Sequence, residues 1–377
     1  MLIGVPKEIK PDEYRIGLTP ESVQALTEAN HQVMVLTNAG LGIGKTDEEF
    51  KQSGAVIVET REEIFDQAEM IVKVKEPQLE ECALLKENQI LFTYLHLAPD
   101  PDQAKALINS GVRAIAYESV QANDGSYPLL IPMSEVAGRM AVQAGASCLE
   151  KAKGGRGLLI GGVTNVEAAN VVVIGGGVVG INSIEIAIGM QANVTVLDKS
   201  AARLDYLESI FGDKLNAVIA NSENNKDCIK TADLVIGAVL VPGASAPKII
   251  TRDLVKLMKP GSVIVDVAID QGGCSETSHA TTHSDPTYVE EGVLHYCVAN
   301  MPGAVPLTST YALNQATMPY VLSLANNGFS QALLNDKGFC EGLNICNGEV
   351  TIEAVAKEQH YNYITPMEMV NRISSDQ

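Results

Sequence analysis

The chain has 377 residues, 46% of them hydrophobic and 5% aromatic, and its formal net charge at pH 7 is −19. This length exceeds one ordinary hydrophobic core, so we expect two domains, and the apolar content excludes a disordered protein. The negative charge argues against nucleic acid or an anionic membrane face as partners, because neutralising phosphate needs a basic surface. A small anion in a locally basic pocket is not excluded.

Nothing in the sequence predicts export or membrane insertion. The N-terminus has no basic stretch followed by an apolar run, and no apolar run reaches the roughly 18 residues of a membrane span. The seven cysteines contain no CxxC pair and are odd in number, which favours thiols over a disulfide framework. We therefore expect a soluble, cytoplasmic protein.

Short apolar runs alternate with amphipathic stretches in the first part of the chain. A helix begins after Thr19, which is a good N-cap and precedes a proline. Strands separated by helices predict a mostly parallel sheet covered on both faces. The other elements predicted there are strands 33–36, 56–58, 71–74, 90–95 and 113–116 and helices 48–53 and 102–110.

A long helix rich in small residues is predicted from Ser134 to about Lys151, and a second alternating series follows it. The strands predicted in this series are 171–174, 194–197, 217–219, 234–237 and 263–266. Beyond Pro302 the sequence becomes helical, with segments at 317–326 and 329–335. This order predicts a discontinuous domain into which a second domain is inserted.

A glycine-rich turn follows the first strand of the second series. Gly175, Gly177 and Gly180 have the G-x-G-x-x-G spacing that permits a tight turn, close approach of a pyrophosphate, and helix–strand packing. Asp198 ends the next strand, where its carboxylate can bind the adenosine ribose and repel the 2′-phosphate of NADP. NAD is therefore the predicted cofactor, although Arg203 slightly weakens that exclusion. The competing interpretation is an incidental glycine-rich turn.

Polar side chains at three places in the N-terminal part of the chain form a candidate substrate site. Arg15 precedes the helix start, Lys73 and Lys75 alternate on the strand 71–74 and beyond it, and His96 ends the strand 90–95. A surface ion pair, a strand-end charge and a packing histidine are the structural alternatives. Arg15, Lys75 and His96 together suit a 2-oxo acid, because two cations can hold the carboxylate and keto oxygen while imidazole exchanges protons near neutral pH.

Other polar residues of the second half admit both structural and functional interpretations. Asp270 follows the strand 263–266, near the expected nicotinamide, although an aspartate there is often a cap. His279 and His283 have a spacing that suits a metal only on a helix, and they lie in a predicted loop, so no metal is predicted. Cys340 and Cys346 lie in a turn-rich stretch and are interpreted as ordinary thiols.

The predicted fold class is α/β, with two Rossmann-like domains, each a mostly parallel sheet with helices on both faces, separated by an active-site cleft. Residues 1–128 and 306–377 are assigned to a substrate-binding, catalytic domain. Residues 129–305 are assigned to an NAD-binding Rossmann domain.

The chain resembles the alanine dehydrogenases over nearly its whole length. The resemblance implies an oxidoreductase acting on CH–NH2 groups, which converts L-alanine reversibly to pyruvate and ammonia with NAD, and commonly a homohexamer. The similar segments, besides the glycine-rich turn, are GVPKEIK (4–10), YRIGLTP (14–20), AGLGIG (39–44), IVKVKEP (71–77), TYLHLA (93–98), PMSEVAGRMA (132–141), DVAIDQGG (266–273) and VANMPGAVP (298–306).

The matched motifs also carry residue roles. They imply that Arg15 and Lys75 bind the substrate and that His96 and Asp270 form the acid/base pair. The cofactor residues implied by the same motifs are Ser134 at the head of its helix, Asp198 at the adenosine ribose and Asn300 near the nicotinamide.

Two other functions compete with this one. The nucleotide-binding subunit of a proton-translocating transhydrogenase shares the fold but needs no amino-acid site, so the presence of Lys75 and His96 favours the dehydrogenase. A non-catalytic NAD-binding protein has no need to keep Arg15, Lys75, His96 and Asp270 together, so the presence of all four argues against it. An opine-type dehydrogenase is a weaker third alternative.

Overall fold

The computed structural model describes residues 1–239 and 246–375. The chain divides into two compact units, one formed by Met1–Met133 with the chain from Val305 onward and the other by Ser134–Ala304. Each unit is built on one mostly parallel sheet, and the predicted α/β class with two Rossmann-like domains is confirmed. No helix among the described residues is long and apolar enough to cross a bilayer.

The elements of the described residues are named here in chain order. The strands are β1 (Leu2–Val5), β2 (Gln32–Leu36), β3 (Val56–Val58), β4 (Met70–Val72), β5 (Ile90–Thr93), β6 (Arg113–Ala116), β7 (Asn170–Ile174), β8 (Asn193–Asp198), β9 (Leu215–Ile219), β10 (Leu234–Gly237), β11 (Val263–Asp266), β12 (Thr287–Glu290), β13 (Val293–Tyr296), β14 (Leu343–Cys346) and β15 (Glu349–Val350). The helices are α1 (Pro20–Glu28), α2 (Asp47–Gln52), α3 (Arg61–Gln67), α4 (Leu79–Cys82), α5 (Pro101–Ser110), α6 (Ile131–Cys148), α7 (Val178–Gly189), α8 (Ala201–Phe211), α9 (Ser222–Thr231), α10 (Arg252–Val255), α11 (Pro306–Asn335), α12 (Lys337–Cys340), α13 (Glu353–Gln359) and α14 (Pro366–Ser375).

The sheet of the first unit has the strand order β15-β14-β6-β5-β4-β1-β2-β3. Strands β1 to β6 pair in parallel, while β14 and β15 add an antiparallel edge. The central strands β4 and β5 are apolar and buried along their length, as expected for a sheet covered on both faces. Helix α1 begins as predicted, because Thr19 Oγ1 accepts the N–H of Ser22 at 3.3 Å and Pro20 occupies the first turn.

The sheet of the second unit has the order β12-β13-β11-β10-β7-β8-β9, with β12 antiparallel to its neighbour. Strand β7 is buried apart from its first residue and leads directly into the glycine-rich turn and α7. Small residues allow α6 to approach α7 closely. A Cβ at Gly138 would lie 2.3 Å from the carbonyl oxygen of Val179, and Ser183 Oγ donates to the Gly138 carbonyl at 2.9 Å.

Two helices differ from their predicted limits by more than one residue. Helix α6 begins at Ile131 rather than Ser134, because Pro132 is tolerated in a first turn, where its missing N–H has no intrahelical partner. The segments predicted at 317–326 and 329–335 belong to one longer element, α11. Its backbone leaves the helical region only at Gly328, where φ is 74° and ψ is 168°.

The prediction that the C-terminal segment is turn-rich around residues 338–348 was wrong. Cys340 ends the short helix α12, and Cys346 ends the edge strand β14, which pairs with β6. Both thiols are buried, and burial raises their pKa to about 11 and about 12. The prediction failed because the pairing partner of β14 is a strand more than two hundred residues earlier in the chain. The glycines on either side of this short apolar run indicated turns more strongly than the run itself indicated a strand.

Candidate functional site

Arg15 lies in the loop before α1 and is only 2% exposed. Its Nε and Nη2 donate to the two carboxylate oxygens of Glu13 at 2.7 and 2.5 Å, and its Nη1 lies 3.1 Å from Met133 Sδ. Burial alone lowers the pKa of Arg15, but the hydrogen bonds to Glu13 and its charge outweigh burial and raise it. The guanidinium is therefore charged, and its plane is fixed by a bidentate ion pair with Glu13.

Lys75 is also buried, in the turn that follows β4. Its Nζ lies 3.9 Å from Glu76 Oε2, an oxygen that has no hydrogen-bond partner among the described residues. Burial raises the pKa of the Glu76 carboxyl, but the positive charges of Lys75, Lys10 and His96 outweigh burial and lower it. A buried carboxylate thus lies within the electrostatic reach of both the lysine and the histidine that the sequence singled out.

The prediction that the strand extends to residue 74 was wrong. Strand β4 ends at Val72, and the N–H of Val74 donates to Glu8 Oε1 at 2.7 Å instead of to a neighbouring strand. Lys73 is fully buried, and its Nζ contacts Glu8 Oε2 at 3.1 Å and Glu81 Oε1 at 2.8 Å. These three side chains, the buried triad, therefore hold the turn that carries Lys75.

His96 is exposed and lies beyond β5, which ends at Thr93 rather than residue 95. Its φ of 49° lies in the left-handed region, which is uncommon for a residue with a side chain. Glu118 stabilises this backbone by accepting the N–H groups of Leu95 at 3.0 Å and His96 at 2.7 Å. The imidazole stacks on the ring of Tyr94, with centroids 5.8 Å apart and an interplanar angle of 10°.

The three predicted side chains of the first unit share neighbours, through stacking or electrostatic interaction. The ring of Tyr94 stacks on His96, and the charge of Arg15 acts to lower the pKa of the Tyr94 hydroxyl. The charges of Lys75 and His96 both act to lower the pKa of the Glu76 carboxyl. Burial raises the pKa of Tyr94 well above its usual value, so this hydroxyl stays neutral. Glu8 and Glu118 were not found from the sequence, because each is separated from its partner by at least one whole element, and no spacing rule links them. Glu13 and Glu76 lie next to Arg15 and Lys75 in the chain, but their contacts were not predicted.

The glycine-rich turn of the second unit is closely packed at two of its three glycines and open at the third. Gly175 has a φ of 99°, and a Cβ there would lie 2.7 Å from the carbonyl oxygen of Ala238. A Cβ at Gly180 would lie 1.9 Å from the carbonyl oxygen of Gly175, which explains the close helix–strand packing. Gly177 precedes α7 and faces open space within 4 Å, so a pyrophosphate can approach the helix N-terminus there.

Asp198 borders this turn. Its Oδ2 accepts the N–H of Gly176 at 2.7 Å and its Oδ1 accepts the N–H of Ser200 at 2.8 Å. A carboxylate has about four acceptor positions, so ribose hydroxyls can still bind. Arg203 Nε donates to the Gly176 carbonyl, and its guanidinium lies 4.8 Å from the Tyr206 ring centroid. Ser134 lies apart from the turn in sequence, in the first turn of α6.

Asp270 and Asn300 are brought together by the structure. Asp270 lies in a 3-10 helix, Val267–Gln271, and its Oδ1 accepts the N–H of Asn300 at 3.2 Å. The buried Asp266 begins this helix by accepting the N–H of Ala268, and it also accepts the N–H groups of Cys274 and Ser275. One carboxylate therefore holds both ends of the loop that carries Asp270.

The two histidines with i,i+4 spacing do not lie on a helix. His279 stacks on Tyr288, with centroids 3.6 Å apart, and His283 Nε2 lies 3.0 Å from the carbonyl oxygen of Asn300. Within residues 1–239 and 246–375, no group of three or more His, Cys, Asp or Glu side chains is arranged to hold a metal ion.

Comparison with known proteins extends this description. A solved L-alanine dehydrogenase is 49% identical, covers 95% of this chain and 99% of its own, and superposes with a TM-score of 0.92. This similarity defines the chain as a two-domain Rossmann-type dehydrogenase. The family models for the N-terminal and C-terminal domains of alanine dehydrogenase/PNT match residues 4–137 and 141–353. The chain belongs to the alanine dehydrogenase/PNT family, and membership implies a nicotinamide nucleotide cofactor.

Two further proteins are similar to this chain, one closely in sequence and the other mainly in fold. The alanine dehydrogenase of Methanococcus maripaludis is 56% identical over 369 residues, which cover 98% of this chain and 99% of that protein. A transhydrogenase structure from Sinorhizobium meliloti has a TM-score of 0.80 but is 23% identical, with 93% of this chain covered and 100% of its own. The second similarity concerns the fold alone.

Proposed function

We propose that this protein catalyses the reversible, NAD-dependent oxidative deamination of L-alanine to pyruvate and ammonia. The observation that carries the proposal is the cluster of Arg15, Lys75 and His96 in the first unit, joined through Tyr94 and Glu76. It combines two fixed cations with an exposed imidazole, and relatives that share most of this sequence are alanine dehydrogenases.

Binding of the substrate falls to the two cations. Arg15 is locked in plane by Glu13 and presents a rigid donor to a carboxylate, and Lys75 supplies a compact ammonium for the oxygen of pyruvate. Both side chains are largely withdrawn from water, which strengthens their attraction for an anion. Because the cations are already oriented, the substrate is ordered at small further entropic cost.

Proton transfer falls to His96 and Asp270. His96 removes a proton from the substrate amine during oxidation and returns one during amination, since imidazole titrates near neutral pH. Asp270 orients the water or ammonia that attacks the carbon and shares the proton transfers. Bound at the glycine-rich turn, the nicotinamide nucleotide supplies the acceptor for the hydride from the alanine Cα.

The substrate assignment is tested with purified wild-type protein. We expect NAD reduction at alkaline pH with L-alanine, much weaker reduction with L-serine, and none with D-alanine. Pyruvate and ammonia together should support NADH oxidation, and neither should support it alone. Absence of alanine-dependent reduction would exclude the proposed activity.

The preference for NAD over NADP is assigned to Asp198. Replacing Asp198 with alanine removes the carboxylate that repels a 2′-phosphate and leaves Arg203 beside the same turn. We expect kcat/KM to fall about tenfold with NAD and to rise with NADP. The measurement is the ratio of the two values, and a gain with NADP is not produced by misfolding.

Asp205 provides the matched control for charge. It lies exposed on α8, the helix that follows Asp198, and Asp205→Ala changes the net charge equally. We expect the coenzyme preference of Asp205→Ala to equal that of the wild type. A preference that shifts equally in both variants would mean that overall charge, rather than the Asp198 carboxylate, selects the cofactor.

The resemblance also supports a homohexamer located in the cytoplasm. Light scattering coupled to size-exclusion chromatography should give a mass of about six chains at micromolar concentration. A monomeric mass would remove the oligomer from the proposal and leave the chemistry unaffected.

A further inference from the structure

Asn300 is held through both of the peptide groups that it joins. Its N–H donates to Asp270 Oδ1 at 3.2 Å, and its carbonyl oxygen lies 3.0 Å from His283 Nε2. The φ of Asn300 is 66°, in the left-handed region, so its two neighbouring peptides point in directions that ordinary extended backbone does not give. A constrained peptide of this kind needs surrounding contacts to persist.

Two backbone hydrogen bonds join the loop that carries His283 to the segment before Asn300. The N–H of Thr281 donates to the Cys297 carbonyl at 2.9 Å, and the N–H of Ala299 donates to the Thr281 carbonyl at 3.2 Å. These bonds hold the loop against Cys297 and against Ala299, the residue before Asn300. His283 therefore approaches the Asn300 carbonyl from an ordered position rather than from a loosely attached loop.

His279, four residues before His283 in the same loop, makes different contacts. Its ring stacks on Tyr288, and its N–H donates to the Tyr288 hydroxyl at 2.9 Å. That hydroxyl donates in turn to the Thr277 carbonyl at 2.8 Å. The hydrogen bond that anchors this end of the loop comes from the backbone N–H of His279, which asparagine also supplies, whereas the side chain of His283 contacts the backbone beside Asp270.

We propose that His283 is a positioning residue that helps to fix the backbone of Asn300 and, through the Asn300 N–H, the carboxylate of Asp270. This inference rests on the proposed function, in which Asp270 takes part in the proton transfers. The carbonyl oxygen of Asn300 can only accept, so Nε2 of His283 carries a proton and donates. The N–H of Gly303 also donates to this carbonyl, at 2.9 Å, so loss of His283 removes one of its two donors. The backbone of Asn300, which joins the two peptide groups, is then held less firmly, and its N–H orients Asp270 less well.

The two side-chain amides provide a matched pair for the test. In His283→Gln the amide nitrogen can reach the position of Nε2, whereas in His283→Asn it corresponds to Nδ1 and falls short of the Asn300 carbonyl. Loss of one hydrogen bond of this kind corresponds to about 2- to 10-fold in rate. We expect His283→Asn to lower kcat for alanine oxidation about fivefold and His283→Gln to stay within about twofold of the wild type.

A split between kinetic constants separates positioning from general damage. We expect KM for L-alanine to be nearly unchanged in His283→Asn, because Arg15 and Lys75 bind the carboxylate. The pH profile of kcat should change on the limb that disappears in Asp270→Asn. His279→Asn, on the same loop, should have wild-type kcat and an unchanged profile.

The outcomes are decisive in both directions. Equal kcat values for the Asn and Gln variants, or an equal loss in His279→Asn, would overturn the positioning role. NAD titration by fluorescence gives an activity-independent result, because a displaced Asn300 should weaken NAD binding in His283→Asn and not in His283→Gln. If the wild type fails to oxidise L-alanine, the proposed function fails, while this titration still tests whether His283 fixes Asn300.

Discussion

Replacing His96 with asparagine should lower kcat for alanine oxidation about 100- to 10,000-fold, the usual contribution of a positioned general acid–base. Asparagine is chosen because the φ of residue 96 is 49°, and asparagine tolerates this left-handed backbone better than alanine does. The N–H bond to Glu118 and the path of the loop are then kept. Stopped-flow and steady-state measurements should show NAD binding unchanged and only the chemical step slowed.

His360 provides a matched control for this substitution. It is exposed in the same unit, its φ is 61°, and it follows α13. His360→Asn therefore makes the same chemical change on the same kind of backbone, and its kcat should equal that of the wild type. If His96→Asn retained more than about one tenth of wild-type kcat across the pH range, His96 would not be the proton carrier.

The features of the fold that were predicted from the sequence depend on residues that lie close together along the chain. The glycine-rich turn was found because the tight turn, the nucleotide approach and the helix packing each require glycine at a fixed spacing. In the structure Gly175 has a positive φ, and there is no room for a Cβ at Gly180. The cap at Thr19 and the strand–helix alternation are local for the same reason. Their identification needed no knowledge of which segments meet in space.

Interactions between distant segments could not be predicted in this way. Glu118 supports His96 from the turn after β6, and Glu8 reaches Lys73 from the loop after β1. Isolated glutamates of this kind occur on any exposed loop, so no pattern distinguished them. Lys73 was also misinterpreted as a strand residue, since its burial depends on two partners and not on the periodicity of its own segment.

Replacing Lys73 with methionine should strongly destabilise the first unit. The ammonium lies between Glu8 and Glu81, and all three side chains are almost completely buried. Methionine fills similar volume but leaves two adjacent carboxylates without their cation. Breaking a buried ion pair from one side costs about 3–5 kcal/mol of unfolding free energy, so we expect a loss of that order in urea unfolding followed by circular dichroism at pH 8.

This loss should shrink as the pH falls. Burial already raises the pKa of Glu8, with the positive charge of Lys73 acting in the opposite direction. Removing that charge raises the folded-state pKa further above its unfolded value of about 4.3. The folded state then binds protons more tightly than the unfolded state, so the unfolding free energy of the variant rises, relative to the wild type, from about pH 8 towards pH 5.

Two further variants test the cause of the instability. Lys86→Met removes an ammonium whose partner, Asp66, is exposed, and such pairs contribute about 0–1 kcal/mol. Lys73→Met combined with Glu81→Gln lowers the number of unpaired carboxylates and should recover part of the stability at pH 8. A loss in Lys73→Met that is independent of pH, and that Glu81→Gln does not reduce, would show that packing rather than uncompensated charge determines the effect. In the expected case, the turn that presents Lys75 to the substrate is stable because its neighbouring lysine is neutralised within the core.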